Sequence, residues 1–338
     1  MIEALKKYAA LQGSINRCNE VVLEVLQRSA IREASIALES FKNGGKRLRP
    51  ALVILTSQVP AGRAIDDLDE PLLQLAGAVE LVHLSTLFHD DVIDEVDIRR
   101  QEQSARAKYG NHASVLAGDF ALAEALHLVE QSGLMHTMPD FLRTIRVLVR
   151  GESLETLHKF DFDINEATYY EIISEKSASL FALSCKIGAL SQRSEMADTL
   201  GHFGWNLGMA FQMIDDLDDM LANPNNMMDC DLINGYLSLP VIKALSSLED
   251  GHHDRLVKII NGGDFSSANE LYIVTLCNEM GTIQQCNDEI HKHLDNAGNT
   301  LARFDHSEAK DMLSNIVKDL KAYTDNQVGN FLKFAGTS

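Results

Sequence analysis

Long stretches rich in Leu, Ala, Glu and Lys, in which polar and apolar residues are mixed, make up this chain. Only six prolines interrupt them, at positions 50, 60, 71, 139, 224 and 240. Such a composition and pattern favour helix. No segment shows the repeated alternation of Val, Ile or Thr between turn residues that predicts a strand, so no sheet is expected. The chain is predicted to be all-α.

Four polar, turn-rich breaks interrupt the helical pattern, at residues 60–71, 132–140, 221–235 and 249–269. They are typical of connections between helices and give no convincing domain boundary, so a single domain over residues 1–338 is predicted. The last two are long enough to be mobile loops. Since residues 223–231 directly follow an acidic cluster, that loop is expected to close over a bound ligand.

The first acidic cluster, Asp90, Asp91 and Asp94, ends a helical pattern predicted to run from Leu72 to Asp97. At about 100° per residue, Asp94 and Thr86 lie within about 40° of Asp90, on a stripe that is apolar further back. Asp90 and Asp94 are one turn apart and can reach one cation or its water shell. Solvated acids at a helix end would not continue an apolar face. The stripe therefore predicts a cavity with an apolar floor and a charged mouth.

A second Asp-Asp-x-x-Asp cluster, Asp215, Asp216 and Asp219, ends another helical run. Gly204 and Gly208 share one face of that run, and each glycine costs about 1 kcal/mol relative to alanine in a helix. Something must therefore approach the backbone closely, and either a packed helix or a passing substrate tail accounts for it. Two carboxylate clusters facing one cavity of a helical bundle indicate divalent cations that hold a polyphosphate.

Two basic segments add anion-binding chemistry. Gly44-Gly45 precedes Lys46, Arg47 and Arg49, and Arg99-Arg100 follows the first acidic cluster. Either segment alone is explained by surface cations or by ion pairs with neighbouring acids, which are worth little at a surface. Together they supply fork-shaped and point-charge donors suited to phosphate oxygens. They indicate two phosphorylated substrates, one held through metal and the other held directly.

The composition limits the partners. A net charge of −19 excludes a nucleic-acid-binding protein, because no basic stripe exists, whereas metal ions can supply local positive charge for a phosphorylated ligand. The five cysteines, at 18, 185, 230, 277 and 286, form no C-x-x-C pair, which favours a reducing compartment without disulfides or a zinc site. No signal peptide or membrane span is visible, so a cytoplasmic location is expected.

The ordered motifs resemble those of the trans-isoprenyl diphosphate synthases, also called polyprenyl synthetases. The matching segments are Gly44–Pro50, His83, His89–Arg100, Leu116–Asp119, Lys176–Phe181, Phe211–Asp219 and Asp231–Pro240. The resemblance implies an isoprenoid synthase-type helical bundle around a deep central cavity, usually as a homodimer. It also implies head-to-tail (1′-4) condensation of isopentenyl diphosphate with an allylic diphosphate such as dimethylallyl, geranyl or farnesyl diphosphate.

Roles carried over by position complete the expected site. The resemblance implies Mg²⁺, three ions per active site with Mn²⁺ as a substitute, bound by Asp90, Asp91, Asp94, Asp215, Asp216 and Asp219. The residues implied to hold isopentenyl diphosphate are Lys46, Arg49, His83 and Arg100, while Arg99 would face the allylic diphosphate. Lys176, Ser177 and Gln212 would lie near the cationic carbon, with Lys176 gripping the leaving diphosphate. No side chain is an obvious general base, and the released pyrophosphate is expected to take the proton.

Three departures from the family pattern affect the allylic site. Asn225-Asn226 stands where a Gly-Lys pair is common, Tyr236 stands where a second lysine is expected, and Ser177 replaces the usual threonine. Each missing lysine removes a charge-assisted contact worth about 1.5–3 kcal/mol. Weaker allylic binding or slower ionisation is expected, while the intact acidic clusters argue against full loss of activity.

Small residues at Ser85 and Thr86 stand where early-stopping family members carry a bulky aromatic, and Leu126 is a further floor position of medium size. A product beyond fifteen carbons is therefore predicted. Two other hypotheses stay open. One is a regulatory subunit of a heteromeric prenyl synthase, motivated by the missing lysines. The other is a divergent class I terpene synthase, although that class usually has an Asn/Ser/Glu metal motif in place of the second aspartate cluster.

Overall fold

Helix fills nearly all of the structure, a computed structural model that describes residues 8–60, 68–99, 102–221 and 231–335. Prolines begin helices here rather than breaking them: Pro71, Pro139 and Pro240 each lie at the first or second position of a helix, where the missing N–H has no intrahelical partner anyway. The predicted all-α fold is confirmed.

The helices, in chain order, are α1 (Ala9–Arg28), α2 (Arg32–Lys42), α3 (Leu48–Gln58), α4 (Glu70–Ile93), α5 (Ala105–Tyr109), α6 (Asn111–Gln131), α7 (Met138–Leu157), α8 (Glu166–Ile173), α9 (Ser179–Ser191), α10 (Ala197–Leu221), α11 (Leu239–Leu245), α12 (Asp250–Gly262), α13 (Ser267–Glu279), α14 (Thr282–Leu301) and α15 (Glu308–Ala335). Short 3₁₀ turns occur at Met135–Thr137 and Asp231–Asn234, and a π-turn, Ser174–Ala178, joins α8 to α9. The only strands in the described ranges are β1 (Ile98–Arg99) and β2 (Glu102–Gln103), paired antiparallel with Ile98 opposite Gln103. The expectation of no sheet was wrong for this one short pair, which lacks the repeated apolar alternation of a core strand.

Helix α4 forms the centre of the bundle and packs against α1, α3, α6 and α9. It is apolar on most of its circumference, the pattern of a helix surrounded by others. By length and composition it is also apolar enough to cross a membrane, but 72% of that window is buried inside the protein. Its composition is therefore explained by its place in the core.

The predicted end of this helix was wrong. Helix α4 stops at Ile93, and Glu95 takes a left-handed conformation with φ of 54°. The Val96 N–H then donates to the Asp91 carbonyl at 3.0 Å, the 6→1 bond of a Schellman motif. Because this motif turns the chain away, Asp97 leaves the face that carries Asp90.

The predicted break at residues 249–269 was wrong in part, because it contains α12. Leu256, Ile259 and Ile260 are buried at helical spacing, and Gly263 ends the helix with φ of 64°. This short apolar period outweighed the polar turn composition around it. The break at 132–140 likewise includes a 3₁₀ turn and the first residues of α7. Residues 61–67 and 222–230, which belong to the other two breaks, lie outside the described residues.

Candidate active site

The first acidic row lies at the C-terminal end of α4, where the helix dipole disfavours negative charge. Asp91 is 3% exposed, and the Arg99 guanidinium in β1 donates to its Oδ1 at 2.5 Å. Asp94 caps the helix and accepts a hydrogen bond of 2.5 Å from the Tyr236 hydroxyl. Carboxylates placed at this end of a helix need nearby cations.

Burial raises the pKa of two carboxyl groups in this row, those of Asp90 and Asp91. Loss of solvent and the Glu152 carboxylate together raise the pKa of Asp90 to about 8, against the opposing charge of the Lys176 ammonium. Burial also raises the pKa of Asp91, against the lowering effect of Arg99. Ionised carboxylates in this row are therefore poorly solvated, and a bound cation would stabilise them.

The second acidic row lies on the last turns of α10. Asp216 accepts hydrogen bonds from the Tyr169 hydroxyl at 2.6 Å and from Gln212 Nε2 at 2.9 Å. Desolvation raises the pKa of Asp216 to about 6, and raises that of Asp215 to about 7 against the opposing charge of Lys46. Partial desolvation and the carboxylates of Asp231 and Asp216 raise the pKa of Asp219 to about 7. The neighbouring Asp218 instead binds Tyr323 and Gln327 of α15.

The two rows border adjoining polar cavities: Asp94 lines one, Asp216 lines the other, and Gln212, Asp231 and Tyr236 line both. Lys176 also lies in the wall of the cavity that Asp94 lines. Asp231 links the rows electrostatically, because Asp94 raises its pKa and Asp231 in turn raises the pKa of Asp216 and Asp219. The rows do not point outward on separate surfaces.

Lys176 lies in the π-turn before α9, a type of local irregularity frequent at functional sites. Its Nζ lies 2.9 Å from Glu152 Oε2 and also pairs with Glu155. Two carboxylates and the nearby Asp90 keep the pKa of Lys176 well above its usual range, although burial lowers it. Helix α7 can approach this closely only because residue 151 is glycine. A Cβ at that position would lie 2.5 Å from the backbone nitrogen of Lys176.

Ser177 and Gln212 are joined in a hydrogen-bond chain beside this lysine. The Ser177 hydroxyl donates to Gln212 Oε1 at 2.6 Å, and Gln212 in turn donates to Asp216. Tyr169 donates to the same carboxylate from α8. This chain fixes the orientation of the Gln212 amide where it lines both polar cavities.

The basic residues just before α3 and in its first turn fall into two groups. Arg47 points into the core: its guanidinium lies 2.6 Å from Glu80 Oε1 and 2.7 Å from the Phe41 carbonyl, so the prediction that it serves an anion was wrong. Lys46 Nζ lies 5.8 Å from the Phe211 ring centroid, and the Arg49 guanidinium lies 4.7 Å from that of Phe181. Both cations oppose the raised pKa of Asp215, which places them near the second acidic row.

A cavity of about 540 Å³ lies below the first acidic row. Its floor is apolar and its mouth is charged, as the stripe on α4 predicted. The lining residues are Val82, Ser85, Thr86, His89, Asp90 and Ile93 from α4, Leu122 from α6, Ile145, Leu148, Val149, Glu152, Ser153, Thr156 and Leu157 from α7, and Lys176. Leu126 is absent from this lining, and Leu122, one turn earlier on α6, takes the expected floor position.

Gly204 and Gly208 face the packed helix rather than a cavity. A side chain at Gly208 would lie 2.7 Å from the Ala178 Cα, and one at Gly204 would meet the Phe181 carbonyl oxygen. Close packing of α10 on α9 and the π-turn accounts for both glycines, so the substrate-tail alternative is not needed.

Several residues of this site were not singled out as site residues from the sequence: Glu152, Glu155, Tyr169, Asp231 and Tyr236. Glu152 and Glu155 share one face of α7 at i, i+3 spacing, a signal visible in the sequence but common on any helix. His83 lies half-buried on α4 two turns before Asp90. Arg100 and Asn225-Asn226 lie outside the described residues.

The carboxylates fit divalent cations completed by a ligand. Within the described ranges, no three His, Cys, Asp or Glu side chains converge closely enough to bind one ion by themselves. Mg²⁺ is commonly held by one or two carboxylates together with water and substrate phosphates, rather than by an all-protein cage. Desolvation, with neighbouring carboxylates adding to it, raises the pKa of Asp90 and Asp215, and a bound cation would offset both effects.

A helical bundle with two carboxylate rows above an apolar cavity defines the isoprenoid synthase class of fold. A sequence model of the polyprenyl synthetase family matches residues 33–280. The chain is 26% identical to a short chain isoprenyl diphosphate synthase of Methanothermobacter thermautotrophicus over 94% of this chain and 96% of the relative. It is 33% identical to the octaprenyl diphosphate synthase of Escherichia coli over 67% of this chain and 70% of the relative.

Solved structures agree with the sequence comparisons. A polyprenyl synthase from Caulobacter crescentus CB15, complexed with calcium and isoprenyl diphosphate, superposes with a TM-score of 0.85 at 27% identity, covering 94% of this chain and 96% of that one. The chain belongs to the polyprenyl synthetase family and is a trans-prenyltransferase.

Proposed function

We propose that this enzyme condenses isopentenyl diphosphate head-to-tail (1′-4) with an allylic diphosphate primer, with Mg²⁺, and releases a product longer than fifteen carbons. The observation that carries the proposal is the apolar cavity of about 540 Å³ whose mouth is formed by Asp90, Glu152 and Lys176. A growing apolar chain would extend into this cavity while its diphosphate stays at the charged mouth. The named relatives range from short chain to octaprenyl products, which supports elongation but leaves the length open.

Asp90, Asp94 and Asp215 are the proposed direct metal ligands, with Asp91, Asp216 and Asp219 contributing directly or through water. Bound Mg²⁺ would neutralise the diphosphate and make it a better leaving group. The Caulobacter relative was solved with a divalent cation and an isoprenyl diphosphate, which supports this assignment. Arg99 is already bonded to Asp91, so it would position that carboxylate as well as face the diphosphate.

Lys176, Ser177 and Gln212 are proposed to surround the reacting carbon. Glu152 and Glu155 hold the Lys176 ammonium at the cavity mouth, so it is positioned before substrate arrives. The Ser177–Gln212 bond presets two dipoles at the same edge, where they can stabilise developing positive charge. Preorganised dipoles need no reorientation during ionisation.

Lys46, Arg49, His83 and Arg100 are proposed to hold isopentenyl diphosphate. Lys46 and Arg49 lie against the Phe211 and Phe181 rings, which are 5.2 Å apart. An aromatic face limits where each cation can move, and ammonium and guanidinium groups are the donors that phosphate oxygens commonly accept from. These two cations lie near Asp215, so the second substrate would bind beside the first.

A homodimer and a cytoplasmic location stay predictions. Apolar side chains are exposed on α6 and α7, at Val115, Leu116, Leu142, Val149 and Leu157. Such side chains are typical of a surface covered by another chain. Sedimentation analysis should give twice the monomer mass, and a monomer at micromolar concentration would contradict the dimer.

Purified protein incubated with Mg²⁺, isopentenyl diphosphate and each primer in turn tests the proposed reaction. Mass spectrometry of the product should show a series spaced by five carbons that extends beyond fifteen. Asp215→Asn should abolish it, while Asp218→Asn, on the same helix but bonded to α15, should leave it largely intact. Product only after addition of a second chain would instead favour a subunit of a heteromeric enzyme.

A further inference from the structure

Tyr236 joins two parts of the site that are far apart in the sequence. Its hydroxyl donates to Asp94, and its ring lies next to two ammonium groups. Lys159 Nζ is 5.0 Å from the ring centroid and Lys176 Nζ is 6.0 Å from it. Both distances are within the range of cation–π attraction. The ring therefore lies against two cations, and its hydroxyl connects them to the first acidic row through Asp94.

These two lysines differ in what compensates their charge. Lys176 is paired with Glu152 and Glu155. Lys159 has no carboxylate oxygen within 4.0 Å among the residues that the structure describes, and its ammonium lies over the Tyr236 ring. An ammonium has three donors and no acceptor. Among the described residues, the Lys159 ammonium therefore contacts only an aromatic face, which leaves its donors available for an anion.

The turn that carries Lys159 is fixed on the segment that carries Tyr236. The Phe160 N–H donates to the Gly235 carbonyl at 2.8 Å. Phe160 has φ of 57°, a left-handed conformation that bulky residues rarely adopt, and Gly235 has φ of 85°. A side chain at Gly235 would lie 2.6 Å from the Phe160 ring. Such a conformation persists only where the surroundings determine it, so Lys159 and Tyr236 are held together by their neighbours.

We propose that Lys159 is a cation that binds the diphosphate of the allylic substrate, with Tyr236 as the positioning residue that holds it beside Asp94. The inference rests on the proposed function, because the ligand is the diphosphate that the acidic rows would hold through metal. The same lysine would contact the pyrophosphate released in the reaction. It would supply, from the end of α7, part of the positive charge that a lysine at position 236 would otherwise bring.

Lys159→Gln tests the assignment, since it removes the charge and keeps a polar side chain only one heavy atom shorter. A charge-assisted hydrogen bond of about 1.5–3 kcal/mol corresponds to roughly 10-fold or more in affinity. Because Lys159 is only half-buried, we expect about 5- to 10-fold weaker binding of inorganic pyrophosphate with Mg²⁺, measured by calorimetry. The KM for the allylic diphosphate should rise by a similar factor, while the KM for isopentenyl diphosphate changes less than about twofold.

Two control variants accompany it. Lys159→Arg keeps the charge and should stay within about threefold of the wild type. Lys258→Gln removes an exposed lysine of α12 that forms no ion pair within the described part of the chain. It should change neither the affinity for pyrophosphate nor the KM for the allylic diphosphate. In a Tyr236→Leu background, Lys159→Gln should weaken pyrophosphate binding less than it does in the wild type, because the ring that positions the lysine is gone.

The outcomes separate this inference from the proposed function. Elongation by the wild type, together with unchanged pyrophosphate binding in Lys159→Gln, would overturn the role of Lys159 and leave the proposed reaction standing. An equal loss in the wild-type and Tyr236→Leu backgrounds would overturn the positioning role of Tyr236. A wild-type protein that neither elongates a primer nor binds pyrophosphate would overturn the proposed function and this inference together.

Discussion

The packing of α10 on the π-turn gives a prediction in which two glycine substitutions have opposite signs. Gly208→Ala places a Cβ 2.7 Å from the Ala178 Cα and 2.9 Å from the Phe181 Cβ. Gly298→Ala, in the last turn of α14, places a Cβ with no heavy atom within 4 Å. Both changes remove the conformational cost of a helical glycine, about 1 kcal/mol. They differ only in what the new methyl group meets.

The expected magnitude follows from the close contact. Carbon atoms pack near about 3.5–4.0 Å, so the backbone around Ala178 or Gly208 must move apart in the Gly208→Ala protein. Overpacking of this kind typically costs about 1–3 kcal/mol, which exceeds the gain in helix propensity. We expect Gly208→Ala to lower the free energy of unfolding by about 1–2 kcal/mol. Gly298→Ala should raise it by up to about 1 kcal/mol.

Urea unfolding of the two variants and the wild type, followed by circular dichroism, measures both effects. Ala178 adjoins Ser177, so Gly208→Ala should also lower the rate of product formation without changing the cavity that we propose sets product length. Stabilisation of Gly208→Ala equal to that of Gly298→Ala would refute close packing as the reason for the glycine. A shortened product with unchanged stability would instead favour a substrate tail passing Gly208.

Three further predictions concern the cavity, the core and the acidic row. Thr86→Phe should shorten the longest product seen by mass spectrometry, whereas Leu126→Phe should leave it unchanged because Leu126 does not line the cavity; the reverse result would place the chain elsewhere. Glu80→Gln leaves the nearly buried Arg47 charge without its carboxylate and should cost roughly 3–5 kcal/mol in urea unfolding, with a loss below about 1 kcal/mol contradicting a structural role. The pKa of Asp90 is raised in the folded protein, so its ionisation opposes folding as pH rises from about 4 to about 8. In metal-free protein, Asp90→Asn should therefore become more stabilising relative to the wild type between pH 5 and pH 8, and a pH-independent difference in melting temperature would contradict this.

The parts of the site that were predicted correctly depend on local sequence. The stripe on α4 needs only the helical repeat to place Ser85 and Thr86 about one turn before Asp90, and both line the cavity. The end of that helix was predicted wrongly, because Glu95 and not glycine takes the left-handed position of the Schellman motif. The sequence therefore lacks the usual signal for a helix end. Arg47 was misassigned because its partner Glu80 is distant in the sequence.

By itself, the sequence determined that this protein is helical and where its two aspartate clusters lie along the chain. It also determined which face of α4 carries small side chains one turn before the first cluster. These features repeat within a few residues, so helical geometry is enough to derive them. Only the tertiary structure decided that Glu152 and Glu155 hold Lys176, that Tyr236 reaches Asp94, and that Leu122 rather than Leu126 forms the floor. Each of these depends on how separate helices are rotated and spaced against each other. That arrangement is set by the packing of the whole core, which no local pattern encodes.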